Sequence, residues 1–182
     1  MKRLCGMFTP KALKSCGLGS FLGAVALLMV TPGIAHAQYC NSDTIYGAYV
    51  FRISGQIFGP DGSVTQRDGI ALTRFDGVGG LIQEDYVMSE GTMVPGPTDI
   101  VNGFHNHERG TYTVNADCTG SAVIKFPAPP GVSSGAVIKL MFVVGKHGQT
   151  IHTIVSQVSP PGSSTPVPAN IHSDAERIDS EQ

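Results

Sequence analysis

The chain has 182 residues, of which 41% are hydrophobic and only 14% carry a charged side chain, with 23 glycines and no tryptophan. This length is enough for one domain with a single hydrophobic core. The formal net charge is −2 at pH 7 and no Lys/Arg cluster follows residue 37, so the composition argues against nucleic acid or anionic lipid as partners.

The N-terminal segment has the organisation of a secretory signal. Its charged side chains are all basic: Lys2, Arg3, Lys11 and Lys14. Residues 17–30 are almost wholly apolar, but this run is shorter than the roughly 20 residues that a membrane-spanning helix needs. It is followed by the small-residue sequence Ala35-His36-Ala37. We therefore predict a signal peptide that is cleaved after Ala37, with an uncleaved anchor as the alternative.

Cleavage would leave residues 38–182, with eight Lys and Arg against 14 Asp and Glu and a net charge of −6. An acidic protein of this kind is repelled by nucleic acid and by anionic membranes. No second apolar segment approaches membrane-spanning length. We expect a periplasmic or secreted protein with no membrane span and no nucleic-acid partner, and the sequence leaves its oligomeric state open.

Two cysteines, Cys40 and Cys118, remain after cleavage, because Cys5 and Cys16 lie in the signal. In an oxidising compartment these two can form a single intramolecular disulfide. The bond would close a loop of about 79 residues and stabilise the fold by roughly 4 kcal/mol in the chain-entropy description. A redox role is disfavoured, since the close spacing of a Cys-x-x-Cys motif is missing from the sequence.

The remaining sequence predicts an all-β fold. Turn signals such as Asp61-Gly62, Asp68-Gly69 and Asp76-Gly77 separate short runs rich in β-branched and aromatic residues. The predicted strands are 46–58, 64–75, 80–89, a short 100–104, 108–115, 120–126, 136–145 and 149–159. Seven or eight short antiparallel strands with brief turns favour a single small β-barrel, with a β-sandwich as the alternative.

Alternation along two strands predicts which side chains are buried. In the first strand Tyr49, Phe51 and Ile53 share one face, and Arg52 lies on the other. In the strand 136–145 both faces are apolar. This predicts either a central strand or one that another segment, such as the C-terminal tail, covers on the outside.

The C-terminal region differs in composition from the strands before it. Residues 160–168 are rich in Pro and Ser, and a polar end follows. We interpret residues 160–182 as a flexible tail. The predicted organisation is a signal peptide (1–37), a β-barrel domain (38–159) and a Pro/Ser-rich tail (160–182).

Four segments together resemble a pattern of small exported, largely uncharacterised bacterial proteins. They are Gly47-Ala48-Tyr49, Phe75-Asp76-Gly77-Val78-Gly79, Gly110-Thr111-Tyr112-Thr113-Val114-Asn115-Ala116-Asp117-Cys118-Thr119-Gly120 and the late apolar hairpin 138–154. More distantly, the arrangement is similar to calycin-type barrels, which include lipocalins and allene oxide cyclase. The resemblance implies a small barrel and transfers no catalytic or ligand-binding residues.

Histidines are the residues that most suggest a metal site. His105 and His107 would share a face if they lay on a strand, next to Glu108. A third ligand for zinc or copper would come from His147 or His152. Because His-x-His is frequent by chance and its surroundings are typical of an exposed polar loop, we expect no metal and no cofactor.

Several charged side chains lie on or near the predicted strands: Glu84, Asp85, Glu90, Arg52, Arg67, Arg74 and Arg109. A buried carboxyl among them would be a candidate general acid or base. We expect them instead to face outward and to pair across the surface. A barrel lumen that held Glu84 or Arg74 against aromatic walls would support an enzyme similar to allene oxide cyclase. The sequence assigns no catalytic residue.

Aromatic side chains supply most of the large apolar surface: Tyr39, Tyr46, Tyr49, Tyr86, Tyr112, Phe51, Phe58, Phe75, Phe104, Phe126 and Phe142. They either fill the core or leave a narrow apolar pocket inside the barrel. The favoured function is a non-catalytic barrel that binds a small apolar ligand or a protein partner. The alternatives are a barrel cyclase or isomerase and a structural or interaction module of the cell envelope.

Overall fold

A computed structural model describes residues 39–94 and 100–178 of the chain. The predicted signal peptide and its cleavage site lie outside the described residues. The described part contains ten antiparallel β-strands and two short 3-10 turns, Ser42–Ile45 and Lys146–Gly148. The predicted all-β class is confirmed.

The strands form a closed barrel. They are β1 (Gly47–Phe58), β2 (Val64–Phe75), β3 (Gly80–Ser89), β4 (Thr92–Met93), β5 (Ile100–Val101), β6 (Phe104–Val114), β7 (Thr119–Lys125), β8 (Val137–Gly145), β9 (Thr150–Ser159) and β10 (Ala169–Ile178). Eight of them close in the order β1-β2-β3-β6-β7-β8-β9-β10, with β10 paired to β1, while the two-residue β4 and β5 extend β3 and β6. The barrel prediction is confirmed and the sandwich is excluded.

Strand β10 corrects the predicted domain boundary. It pairs with β1 from Ala48↔Ile178 to Ile57↔Ala169, and with β9 on its other side. A segment predicted to belong to a flexible tail is therefore the strand that closes the barrel. The Pro-rich composition describes only the loop 160–168 before it, and residues 179–182 lie outside the described part.

The two apolar faces of β8 have different surroundings. Phe142 and Val144 are buried inside the barrel, whereas Met141 and Val143 on the outer face are 49% and 51% exposed. Of the two predicted alternatives, the structure agrees with a central strand, since β8 lies between β7 and β9. The C-terminal segment does not cover the outer face, because that segment is itself part of the barrel wall.

Residues that precede β1 close one end of the barrel. Ile45, in the first 3-10 turn, is fully buried. Just before this turn, Cys40 forms a disulfide with Cys118, and their Cα atoms are 5.0 Å apart. Cys118 lies in the turn between β6 and β7, so the bond ties the chain before β1 to the far side of the barrel. The predicted disulfide is confirmed.

Tyr49 and Arg177 connect the first strand of the barrel to the last at this closed end. The buried Tyr49 hydroxyl donates a hydrogen bond to the Gly148 carbonyl and accepts one from Arg177 Nε at 3.0 Å. Arg177 Nη2 also donates to the Thr44 carbonyl at 2.7 Å, and its guanidinium lies 5.4 Å from the centre of the Tyr49 ring. Burial raises the pKa of Tyr49, although the hydrogen bond from Arg177 opposes this shift.

Candidate functional site

The barrel encloses a cavity of about 300 Å³. Its walls are mainly apolar and include Phe51, Leu81, Ile124 and Phe142. Prolines of the β7–β8 and β9–β10 loops also border it, and these loops lie at the end of the barrel away from the first 3-10 turn. We predicted that the aromatic residues either fill the core or leave a narrow pocket. The inward-facing ones line a pocket and do not fill the interior completely.

One wall of this cavity is polar, and we name its residues the lumen cluster: Thr73, Gln83, Asp85, His105 and Glu108, all buried. Thr73 Oγ1 donates to Gln83 Oε1 at 2.9 Å, and Gln83 Nε2 donates to Glu108 Oε2 at 2.8 Å. His105 Nδ1 lies 3.4 Å from Asp85 Oδ1. Four of these five residues line the cavity itself. Glu108 does not line it and lies behind the others.

A β-bulge brings the cluster together. In the pairing of β3 with β6, Gln83 faces Glu108 and Asp85 faces His105, so one residue of β3 is opposed by two residues of β6. Within this bulge His107 has a φ of 65°. In a regular strand, residues three apart lie on opposite faces. The extra residue places both His105 and Glu108 inside the barrel.

Burial changes the acidity of the two carboxyl groups in the cluster. Burial, and then the nearby charge of Asp85, raise the pKa of Glu108 well above its ordinary value. Burial also raises the pKa of Asp85, although the charge of His105 opposes this shift. In addition, Glu108 Oε1 and His105 Nε2 are buried without a hydrogen-bond partner among the described residues. Such atoms are uncommon in folded proteins and usually have a specific reason.

The predicted set of histidines is not brought together. His105 is buried in β6, so the prediction that it lies in an exposed polar loop is wrong. His107 is exposed on the outside, because the bulge separates it from His105. His147 lies in an exposed turn. His152 lies on the outer face, where its Nδ1 atom is 2.6 Å from Asp174 Oδ1.

The predicted outward position of the charged residues holds for several of them. Glu84 and Arg74 form an ion pair of 3.1 Å on the outer face, with side chains 45% and 47% exposed. We had considered that either residue, if it lay in the lumen, would support a catalytic function. Neither of them lies there. Arg52 and Arg109 are also exposed on strands, as is Glu90 in the turn after β3.

Asp85 and Arg67 contradict the same prediction, because both line the cavity. Arg67 lies on β2 opposite Ser89, the last residue of β3, and therefore near the loop end of the barrel. Its Nη1 atom is buried without a hydrogen-bond partner in residues 39–94 and 100–178. Burial lowers the pKa of Arg67, and the charge of Glu90 opposes this effect.

Part of the lumen cluster could have been found in the sequence. Period-two alternation carried back from the buried Tyr112 places Gly110 and Glu108 inside, and alternation from Leu81 places Asp85 inside. His105 has no such signal, since the bulge breaks the alternation before it.

Residues 131–135 have a Gly-x-Ser-x-Gly pattern, but they lie in the β7–β8 loop and not in the strand–turn–helix that a nucleophile elbow requires.

In residues 39–94 and 100–178, no helix is long and apolar enough to cross a membrane. The chain matches no protein-family model, and no curated protein matches it significantly. The function is therefore inferred from the cavity and its lining, and not from comparisons with known proteins.

Proposed function

We propose that the protein is a non-catalytic binding protein that holds a small, mainly apolar carboxylic acid in its barrel lumen. The observation that carries this proposal is the cavity of about 300 Å³ with mainly apolar walls. Small-molecule sites typically have volumes of about 300–1,000 Å³. The volume therefore suits a compact ligand, and the lining suits a hydrocarbon body.

Arg67 is the reason for proposing that the ligand has an acidic end. Its side chain lines the cavity near the loop end, and its buried Nη1 has no hydrogen-bond partner in the part of the chain that the structure describes. A guanidinium binds a carboxylate through charge-assisted and often paired hydrogen bonds. The ligand then has its carboxylate beside Arg67 and its hydrocarbon part along Phe51 and Phe142 towards the closed end.

We also propose that the protein works in the periplasm or outside the cell. Two observations support export: the basic and apolar N-terminal segment 1–37, and the disulfide between Cys40 and Cys118. Disulfides persist in oxidising compartments and are rare in the cytosol.

Mass spectrometry of the protein recovered from the cells that produce it tests ligand and location together. In the native state we expect a chain that starts at residue 38, less two hydrogens, with a bound carboxylic acid that is released on denaturation. A bare protein mass would favour the interaction-module alternative. Conversion of the recovered compound to an isomer by the protein would favour the cyclase alternative, and an uncleaved cytosolic chain would contradict export.

Titration of ligand-free protein with decanoate and 1-decanol tests the position of the ligand. Ala122→Leu fills part of the cavity and should weaken decanoate binding about 10-fold or more, whereas Ser121→Leu, next to it on the exposed face, should leave binding unchanged. Arg67→Gln should weaken decanoate binding by about 10-fold or more but not 1-decanol binding. Equal effects of Ala122→Leu and Ser121→Leu would contradict a lumen site.

A further inference from the structure

We propose a second site in the barrel wall, in which Asp85, His105 and Glu108 bind one divalent transition-metal ion. One potential ligand atom of each residue lies within 4.8 Å of those of the other two. The three residues are only 3%, 5% and 0% exposed. This site does not depend on the proposed carboxylic acid ligand.

The distances fit a metal ion as the common partner of these side chains. His105 Nδ1 and Asp85 Oδ1 are 3.4 Å apart. Two donors in a tetrahedral arrangement, each about 2.0–2.1 Å from Zn²⁺, are separated by about 3.4 Å. Both residues therefore lie at a spacing that an ion can bridge without a change of register in β3 or β6.

One carboxyl oxygen of Glu108 completes the donor set. Glu108 Oε2 accepts a hydrogen bond from Gln83 Nε2, so Oε1 is the oxygen that remains available. Oε1 belongs to a fully buried residue and accepts no hydrogen bond from the described residues, while the carboxyl groups of Glu108 and Asp85 lie close enough to interact with each other. Gln83 is itself held by Thr73 at 2.9 Å, so the carboxyl group of Glu108 is oriented by a connected pair of hydrogen bonds. Such outer partners are typical of metal sites, because they fix the ligand in place.

Charge is the third argument for a cation. Asp85 and Glu108 place two carboxyl groups in a buried wall whose neighbouring lumen is mainly apolar. Buried carboxylates are stable only when a proton or a cation compensates their charge. A divalent ion would compensate both, and carboxylate together with imidazole ligands suits zinc, manganese and iron. Because Asp85 and His105 line the cavity, the ion would lie beside the bound ligand.

Zinc binding to the protein without an affinity tag tests the site. The protein is stripped with a chelator, freed of lumen ligand and titrated with Zn²⁺ by calorimetry, and its melting temperature is measured with and without the ion. We expect one equivalent of zinc and a higher melting temperature. Glu108→Gln keeps the size of the side chain but removes the ligand charge, and should weaken zinc binding by about 10-fold or more.

Two variants serve as matched controls. Glu84→Gln changes the neighbour of Asp85 on the outer face, and His152→Ala removes the exposed histidine beside Asp174. Both should bind zinc as the wild type does. Asp85→Asn provides a second test if Glu108→Gln does not fold, and the absorption spectrum of the Co²⁺-loaded protein reports its ligand geometry.

Three results would overturn the metal site: no zinc bound by the wild type, equal zinc affinity of the wild type and the folded variants of the site, or loss of binding in His152→Ala. Because the titration uses zinc alone on ligand-free protein, it is independent of decanoate binding. Failure of one proposal is therefore distinguishable from failure of the other.

Discussion

Asp76, in the turn between β2 and β3, shows how one side chain can organise a turn. Its Oδ1 atom accepts hydrogen bonds from the backbone N–H groups of Val78, Gly79 and Gly80 at 2.9, 2.9 and 2.8 Å. These bonds, first those from Val78 and Gly80, hold the pKa of Asp76 below its ordinary value. The chain can wrap around the carboxylate because Gly77 and Gly79 adopt φ values of 80° and 117°.

The lowered pKa predicts how Asp76 contributes to stability at different pH. A carboxyl group of this kind stabilises the fold fully above its unfolded pKa, near 3.8, and the contribution is lost as pH falls through the lower folded value. Thermal unfolding should show the wild type to be more stable than Asp76→Asn at neutral pH, and this difference should shrink towards about pH 2. A difference that is constant with pH would contradict the role of the charged form.

Glu84 and Asp85 show what sequence reasoning missed at single positions. We predicted an outward position for both, yet neighbouring residues in a strand face opposite sides of the sheet. Glu84 pairs with Arg74 outside, and Asp85 faces the lumen. The alternation was available in the sequence, but the general rarity of buried carboxylates outweighed it.

Strand β10 is the element that the sequence concealed. Its outward residues His172, Asp174 and Glu176 are polar, and so is the inward Ser173, so the contrast between its two faces is weak. The Pro-rich loop before it strengthened the interpretation as a tail. The strand is defined by its partners, since β1 and β9 pair with it on both sides.

Removal of β10 should abolish the barrel. A chain that ends after residue 168 leaves β1 and β9 with unpaired edges and opens the lumen to water, which exposes its apolar lining. We expect circular dichroism to show no cooperative thermal transition for this chain, while a chain that ends after Ile178 unfolds cooperatively. A cooperative transition in the shorter chain would contradict this prediction, because it would show that the chain folds when β1 and β9 lack their common partner.

At the scale of the whole molecule, the disulfide joins parts that are far apart in sequence. Cys40 and Cys118 are separated by 78 positions, and the bond links the closed end to the turn between β6 and β7. A bond across such a long loop acts chiefly by restricting the unfolded chain. The folded barrel does not depend on it for closure, since the pairing of β1 with β10 provides that.

Replacement of both cysteines, Cys40→Ser with Cys118→Ser, should lower the free energy of unfolding by about 2–5 kcal/mol and keep the barrel. Urea denaturation with and without reductant measures this effect. Reductant should lower the stability of the wild type to that of the double variant, which itself should not respond. A wild type that is unaffected by reductant would contradict the stabilising role of the bond.

Local patterns were sufficient for the all-β class, the limits of β2 and β3, the inward face of β1 and the pairing of the two cysteines. Turn residues and period-two alternation are properties of neighbouring residues, so they are visible before the chain folds. Closure through β10 and assembly of the lumen cluster depend on which strands pair and in which register. A bulge exists only between two paired strands, and a cavity exists only when eight inward faces meet without filling the space, so tertiary structure alone decides both.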